Sequence, residues 1–351
     1  MLLPIPASFR LGENRYRQFV SMLWGRSLQN RLGLSLAIRP ENQGKLMPAE
    51  YLVSVVGPTA LGKTRLAIAL ARHFNTEILS ADSRQFYKEM AIGTAVPSAS
   101  DLKAVPHHFV QHIGIHQSYS VGDFEREGLA CLHKLFNRHQ LVIMAGGSGL
   151  YINALTLGLD SFPKASRGIR KALQETLEKE GLGPLQEQLQ ELDPDYYDTV
   201  DLQNPQRLIR ALEVAIACGQ PYSSFLKGNR ASRPFSVLTL GLEAPRELLY
   251  ERINSRVDQM VANGLLEEAR GLFAFRNLNA LNTVGYKEMF SYLEGHMDFD
   301  TAVAEIKKNT RRFAKRQLTW FRKQPEIHWI DFRLPPQKAI EIIENNIHER
   351  G

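Results

Sequence analysis

Leu52-Val-Ser-Val-Val56 runs directly into Gly57-Pro58-Thr59-Ala60-Leu61-Gly62-Lys63-Thr64. The first five residues make a short run, apolar but for Ser54 and rich in β-branched valine, as in a strand buried on both faces. The next eight fit G-x-x-x-x-G-K-[ST]. Glycines at both ends let the backbone curl so that its N–H groups point inward. The helix that follows adds the positive end of its dipole, so a phosphate is the ligand such a loop suits. Lys63 supplies a mobile positive charge, and Thr64 a hydroxyl able to ligate Mg²⁺. From Thr64 to His73, Leu66, Ala67, Leu70 and Ala71 recur at helical spacing. Strand, phosphate loop and helix thus follow one another within some twenty residues, which predicts an α/β fold of P-loop type.

The pattern repeats outward. Glu77-Ile-Leu-Ser80 reads as a second strand, ending at Ala81-Asp82-Ser83. Phe124 to Phe136 reads as a helix. Leu141-Val-Ile-Met144 is another buried strand, closed by Ala145-Gly-Gly-Ser-Gly149. Alternating strands and helices predict a parallel sheet with helices on both faces. Near Ser161 the character changes. Arg167 to Cys218 is helical and charged, cut into short helices by Pro184, Pro194 and Pro205. Val237 to Leu242 is again a strand, Arg246 to Ala262 a helix, Asp300 to Arg322 a long amphipathic helix and Trp329 to Asp331 a final strand. Residues 47–160 and 235–333 therefore read as one α/β core, 161–234 as an all-helical insertion, and 334–351 as a C-terminal tail.

Residues 1–46 differ from the rest: seven Arg and Lys stand against Glu13 and Glu41. Such a start suits either an organelle transit segment or an upstream extension before Met47, which directly precedes the first strand. Across all 351 residues the apolar fraction is 44% and the charged fraction 23%, ordinary for a water-soluble globular chain. The net charge of +6 suits an acidic partner but does not require one. Cys131 and Cys218 form neither a C-x-x-C pair nor a disulfide framework, so both are expected buried in a reducing compartment. No apolar run has the length of a membrane-spanning helix.

An ATPase or kinase with this loop usually holds Mg²⁺ through an Asp at the end of a later strand. Here Met144 runs into Ala145-Gly146-Gly147-Ser148 with no acid, which weakens a small-molecule kinase reading. The carboxylate follows the second strand instead, at Asp82. Strand C-termini line the ligand crevice of an open α/β sheet, so Asp82 and the loop share one pocket. Position alone leaves Asp82 open to three roles: general base, cap of the next helix, or metal ligand through water. His107 and His108 are neighbours in an extended segment and point to opposite faces, which argues against a shared metal ion.

The motifs taken together resemble the tRNA dimethylallyltransferase family in its bacterial form. The matching residues are the loop 57–64; Ser80-Ala-Asp82-Ser83-Arg84-Gln85 with Tyr87; Ile92-Gly-Thr94; Pro106-His-His108; Tyr119-Ser120 with Asp123; and Gly146-Gly147-Ser148-Gly-Leu-Tyr151. They continue with Asn204-Pro205-Gln206-Arg207, Arg210 and Glu213, Val284-Gly285-Tyr286-Lys287, and Thr310-Arg311, Lys315-Arg316-Gln317, Thr319-Trp320 and Arg322. They run in family order over nearly everything but the first segment and the tail. Two departures stand out: Ser148 replaces the Thr of many members, and no cysteine follows Cys218, so a bacterial-type enzyme without the C-terminal zinc finger of eukaryotic members is expected.

The resemblance implies dimethylallyl diphosphate as donor, Mg²⁺ as cofactor, and as acceptor the adenosine 3′ of the anticodon in tRNAs reading codons that begin with U. It implies Asp82 as general base, with Thr59 and Arg256 as its catalytic companions. The diphosphate would be held by Gly57, Pro58, Thr59, Ala60, Leu61, Gly62, Lys63 and Thr64. The anticodon stem-loop would be met by Asp82, Ser83, Arg84, Gln85, Ser148, Arg170, Gln206, Arg207, Leu208, Ile209, Arg210, Asn282, Thr283, Val284, Gly285, Tyr286, Lys287 and Lys315. A cytoplasmic monomer is expected. Lys307, Lys308, Arg311, Arg312, Lys315, Arg316, Arg322 and Lys323 crowd one helix, suiting RNA phosphates or a solvated face. Ile306, Phe313 and Trp320, at seven-residue steps, predict its buried stripe. The alternatives are an adenylate isopentenyltransferase, a small-molecule kinase, and a non-catalytic RNA-binding protein with a relic loop.

Overall fold

The structure, a computed structural model, describes residues 50–160, 162–163, 167–226 and 232–350. The transit or start-site reading of residues 1–46 lies outside them. Six strands, β1 (Tyr51–Val56), β2 (Ile78–Ser80), β3 (His107–His108), β4 (Leu141–Ala145), β5 (Ser236–Glu243) and β6 (His328–Asp331), form one sheet in the order β3-β2-β4-β1-β5-β6. Every pairing is parallel. β1 is buried along its whole length because helices cover both faces, which is why its sequence is apolar at every position but Ser54 instead of alternating. Its side chains divide by the period of two: Leu52 and Val56 enter one core, Tyr51, Val53 and Val55 the other.

α1 (Lys63–His73) packs in the second core through Ala67, Leu70 and Ala71. α2 (Ala99–Ala104) is short and capped by Ser98 and Asp101. α3 (Val121–Phe136) and α4 (Gly149–Leu157) lie in the first core, with Phe124, Leu132 and Ile152 buried there. The 167–218 region holds α5 (Arg167–Glu180), α6 (Gly183–Leu192), α7 (Pro194–Tyr197) and α8 (Pro205–Cys218). These helices bury Leu173, Leu185, Leu189, Leu208, Ile209 and Leu212 in a core of their own. α8 starts where Asn204 Oδ1 accepts from Arg207 N, with Pro205 at the first turn, and stops at Gly219 with φ 63°.

α9 (Arg246–Ala262), α10 (Leu265–Leu272) and α11 (Tyr286–Leu293) lead to α12 (Phe299–Phe321). The residues expected to form a tail are a helix, α13 (Pro336–Arg350), which buries Ala339, Ile340 and Ile343 against α1 and β5. Their three- and four-residue spacing makes an apolar stripe that removes that surface from water. Cys131 and Cys218 are half-buried, not fully so.

Candidate active site

Chain connections leave β1 and β4 in opposite directions, β1 toward β2 and β4 toward β5. A crevice therefore opens at their carboxyl ends. The β1–α1 loop enters it with three residues at positive φ, Gly57 (133°), Ala60 (69°) and Gly62 (83°). A Cβ on Gly57 would lie 2.7 Å from Leu242 O, so only glycine fits between β1 and β5. Ala60 accepts the left-handed strain because Arg252 Nε donates to its carbonyl at 2.8 Å, while the Arg252 guanidinium rests 4.9 Å above the Phe332 ring. No side chain caps the first turn of α1, so its N–H groups face the crevice unclaimed by a cap.

Lys63 Nζ donates to Pro58 O at 2.8 Å. Burial pushes its ammonium down to about 8; nearby Asp82 opposes the shift and Arg256 adds to it. Burial also lowers Arg256, again against the pull of Asp82. Asp82, at the end of β2, accepts from Arg84 N at 3.2 Å through Oδ1. The Arg84 guanidinium then donates to the carbonyls of Asn279, Ala280 and Asn282, fixing the 279–282 segment beside the carboxylate. Ser148 Oγ accepts from Ser83 N at 3.0 Å and so joins the ends of β2 and β4.

Two cavities of about 630 and 600 Å³ flank this point, and Thr59, Lys63, Asp82 and Arg256 line both. The first runs past Gly62, Thr64, Ser80 and Gly146. The second opens between Ser148–Tyr151, the 282–285 segment with Lys287, and α12 through Phe313, Arg316 and Trp320. Phe313 and Trp320 are 39% and 38% exposed, so they are cleft residues, not the buried stripe expected of them. The stripe is Ala302, Ile306, Ala314, Gln317 and Phe321. Sequence reasoning gave no role to Gln317, although it stands in a matching motif, nor to Arg252. Gln317 was findable as the polar member of an apolar stripe, but no local pattern signals the reach of Arg252 to Ala60.

The site residues named from sequence fall into groups. Ser83, Arg84, Ser148, Asn282, Thr283, Val284, Gly285 and Lys287 gather around the second cavity. Tyr286 does not: it is buried, and its hydroxyl donates to Glu268 Oε1 at 2.6 Å. Gln85 is buried, and its amide donates to Thr94 O and Ala95 O. Leu208 and Ile209 are fully buried in the helical core, so their side chains reach no RNA. Gln206 and Arg207 are exposed on the same helix. Arg170 and Arg210 both donate to Glu213 Oε2 at 3.2 Å. Along α12, Lys307 pairs with Asp258, Lys308 with Glu305, and Arg311 Nη1 donates to Asn254. Lys315 and Arg316 are exposed. His107 Nδ1 donates to Val105 O, and His108 Nε2 lies 2.7 Å from Glu77 Oε2, so the two rings serve different partners.

An uncapped glycine loop, two cations and a carboxylate meeting at a doubly wound switch point define an α/β enzyme that handles an anion. A family model described as IPP transferase matches residues 85–324. A Christiangramia forsetii protein named tRNA dimethylallyltransferase is 57% identical over 300 residues, 86% of this chain and 99% of its own. A Flavobacterium psychrophilum protein of the same name is 48% identical over 303 residues, 85% of this chain and 99% of its own. The crystal structure of a full-length tRNA isopentenylpyrophosphate transferase from Bacillus halodurans is 36% identical, with a TM-score of 0.63, covering 86% of this chain and 96% of that one. The chain belongs to the tRNA dimethylallyltransferase (IPP transferase) family and is a prenyl-transferring enzyme. Free-nucleotide prenyl transfer is not the function named for these relatives. Among the described residues no helix is long and apolar enough to cross a membrane.

Proposed function

We propose that the enzyme transfers a dimethylallyl group from dimethylallyl diphosphate to the exocyclic amine of the adenosine 3′ of the anticodon, in tRNAs reading codons that begin with U. The observation that carries this reading is the set of four residues shared by the two cavities. One cavity offers the glycine loop to a diphosphate, the other offers exposed aromatic and cationic groups to RNA, and the reacting atoms meet between them. The target base leaves its stack to arrive there, at a cost of a few kcal/mol.

In this reading the amine nitrogen attacks the allylic carbon, the carbon–oxygen bond to diphosphate breaks, and the amine proton passes to the Asp82 carboxylate. Asp82 spends one oxygen on Arg84 N and keeps the other for that proton. Lys63 and Arg256, both charged beside Asp82, neutralise the departing diphosphate. The Thr64 hydroxyl lines the first cavity and would be the protein's oxygen donor to a Mg²⁺ that the phosphates also hold. Bound there, Mg²⁺ supplies further charge neutralisation of the leaving group. Trp320, Phe313 and Arg316 give the RNA a stacking and charged rim, and Gln206 and Arg207 a second contact. The enzyme works as a cytoplasmic monomer.

The test incubates the protein and Mg²⁺ with labelled dimethylallyl diphosphate and either an unmodified anticodon stem-loop or AMP. Label on the stem-loop adenosine, reduced about 10²- to 10⁴-fold in kcat by Asp82→Asn, is expected. Label on AMP alone, or an unimpaired Asp82→Asn variant, would overturn the reading.

A further inference from the structure

Gln317 lies on the buried stripe of α12 and is 7% exposed, among Ile306, Ala314 and Phe321. Its side-chain Oε1 accepts from Thr59 N at 3.0 Å, and its Nε2 donates to Gly147 O at 2.9 Å. Only one orientation of the amide serves both partners, because a flipped amide would set NH₂ against N–H and oxygen against oxygen. Gly147 is what admits it: a Cβ there would lie 2.3 Å from Nε2. One side chain therefore ties the β1–α1 loop to the β4–α4 loop across the crevice, and does so from the helix whose neighbouring turns carry Phe313, Arg316 and Trp320.

We infer that Gln317 is a positioning residue for the transfer reaction, holding the glycine loop at Thr59 in register with the RNA-facing side of α12. The inference rests on the reading above that diphosphate lies in the β1–α1 loop. An apolar side chain would fill the same space with no polar group to satisfy. The amide instead takes one backbone group from each of the two loops that bound the crevice. Thr59 is one of the four residues common to both cavities, so a shift of α12 on RNA docking reaches the reacting point through a single pair of hydrogen bonds. Gln317 lines the second cavity, but both ends of its amide are spent on Thr59 N and Gly147 O, so it acts through Thr59.

Two variants test this in the full chain. Gln317→Met keeps the stem and loses both bonds; kcat and affinity for Mg²⁺-diphosphate should each fall about tenfold, while KM for the stem-loop stays close to native. Gln317→Glu keeps the acceptor toward Thr59 N but donates to Gly147 O only when protonated, and burial favours that form. Its rate relative to native should therefore recover as the pH falls from about 8 to 6. A purely structural glutamine would change the melting temperature and leave that ratio flat. A Gln317→Met protein with native kcat and native diphosphate affinity, or a Gln317→Glu ratio independent of pH, overturns the inference. If the native protein binds Mg²⁺-diphosphate but labels no RNA, the proposed acceptor falls and the diphosphate arm alone decides on Gln317. Absence of diphosphate binding to the native protein overturns both.

Discussion

Titrating the free protein from pH 7 to 9 strips the charge from Lys63. Burial, reinforced by Arg256 and opposed by Asp82, holds that ammonium at about 8 against an ordinary 10.5. A diphosphate seated against Nζ favours the charged form and returns the pKa upward. Binding then takes up a proton wherever free Lys63 is neutral, so affinity falls as the pH rises through the free value. With that value near 8, the charged fraction drops from about 0.9 at pH 7 to about 0.1 at pH 9, a tenfold loss of affinity worth about 1.4 kcal/mol. The ligand for this measurement is an unreactive thio analogue of dimethylallyl diphosphate, whose last phosphate ionisation lies near about 6 and stays outside the window. Calorimetric titration in two buffers of different ionisation enthalpy reads affinity and proton uptake together. Uptake approaching one proton at pH 9 and near none at pH 7 is expected. Lys63→Arg, which stays charged, should flatten both profiles. Equal affinity at the two pH values, with no proton taken up at pH 9, would refute the argument.

Other changes have equally direct readouts. Gly146→Ala sets a Cβ 2.2 Å from Ala81 O at the junction of β2 and β4, where only backbone can give way; urea unfolding should show a loss of about 1–3 kcal/mol. Trp320→Ala should weaken stem-loop binding by about 1–3 kcal/mol in a fluorescence titration, with Mg²⁺-diphosphate affinity unchanged. His112 sits among Phe86, Phe109 and Tyr119 with both ring nitrogens buried and unpartnered among the described residues. Burial keeps its pKa below the ordinary 6.5, against Glu127 and with Lys88 adding. The unfolded chain therefore protonates this ring first. Stability from it is complete above about 6.5 and drains away as the pH falls below, so the urea midpoint should decline from pH 7 to 5, less steeply in His112→Phe.

The α/β core was readable because each strand is a short apolar run closed by a turn: Val56 into Gly57, Ser80 into Asp82, Ala145 into Gly146. Asp82 could be placed beside the loop for the same reason, since strand ends share one edge of the sheet. The misread residues lie where burial depends on what another element does. Phe313 and Trp320 follow Ile306 at seven-residue steps, but a straight helix drifts about 20° per heptad, and this face meets a cleft. Leu208 and Ile209 were counted with the basic residues beside them, although the apolar stripe of α8 already assigned them inward. Ala339, Ile340 and Ile343 carried a helical period that a terminal position disguised as a tail. Bonds such as Gln317 to Thr59 span 258 residues and leave no mark in local spacing.

The sheet order sets a timetable for the growing chain. β1 emerges first and ends at the centre, yet its partner on one side, β5, begins at Ser236, 180 residues after Val56. At roughly 5–20 residues per second, one hydrogen-bonding edge of a mostly apolar strand waits about 10–35 s for its neighbour. The helices of 167–218 are made during that interval and can pack on their own core, so they neither hasten nor shield the closing of the sheet. The nascent protein is thus most open to strand-to-strand association between chains after β4 leaves the ribosome and before β5 does, and substitutions that slow translation in 146–235 should lower its soluble yield more than those further on.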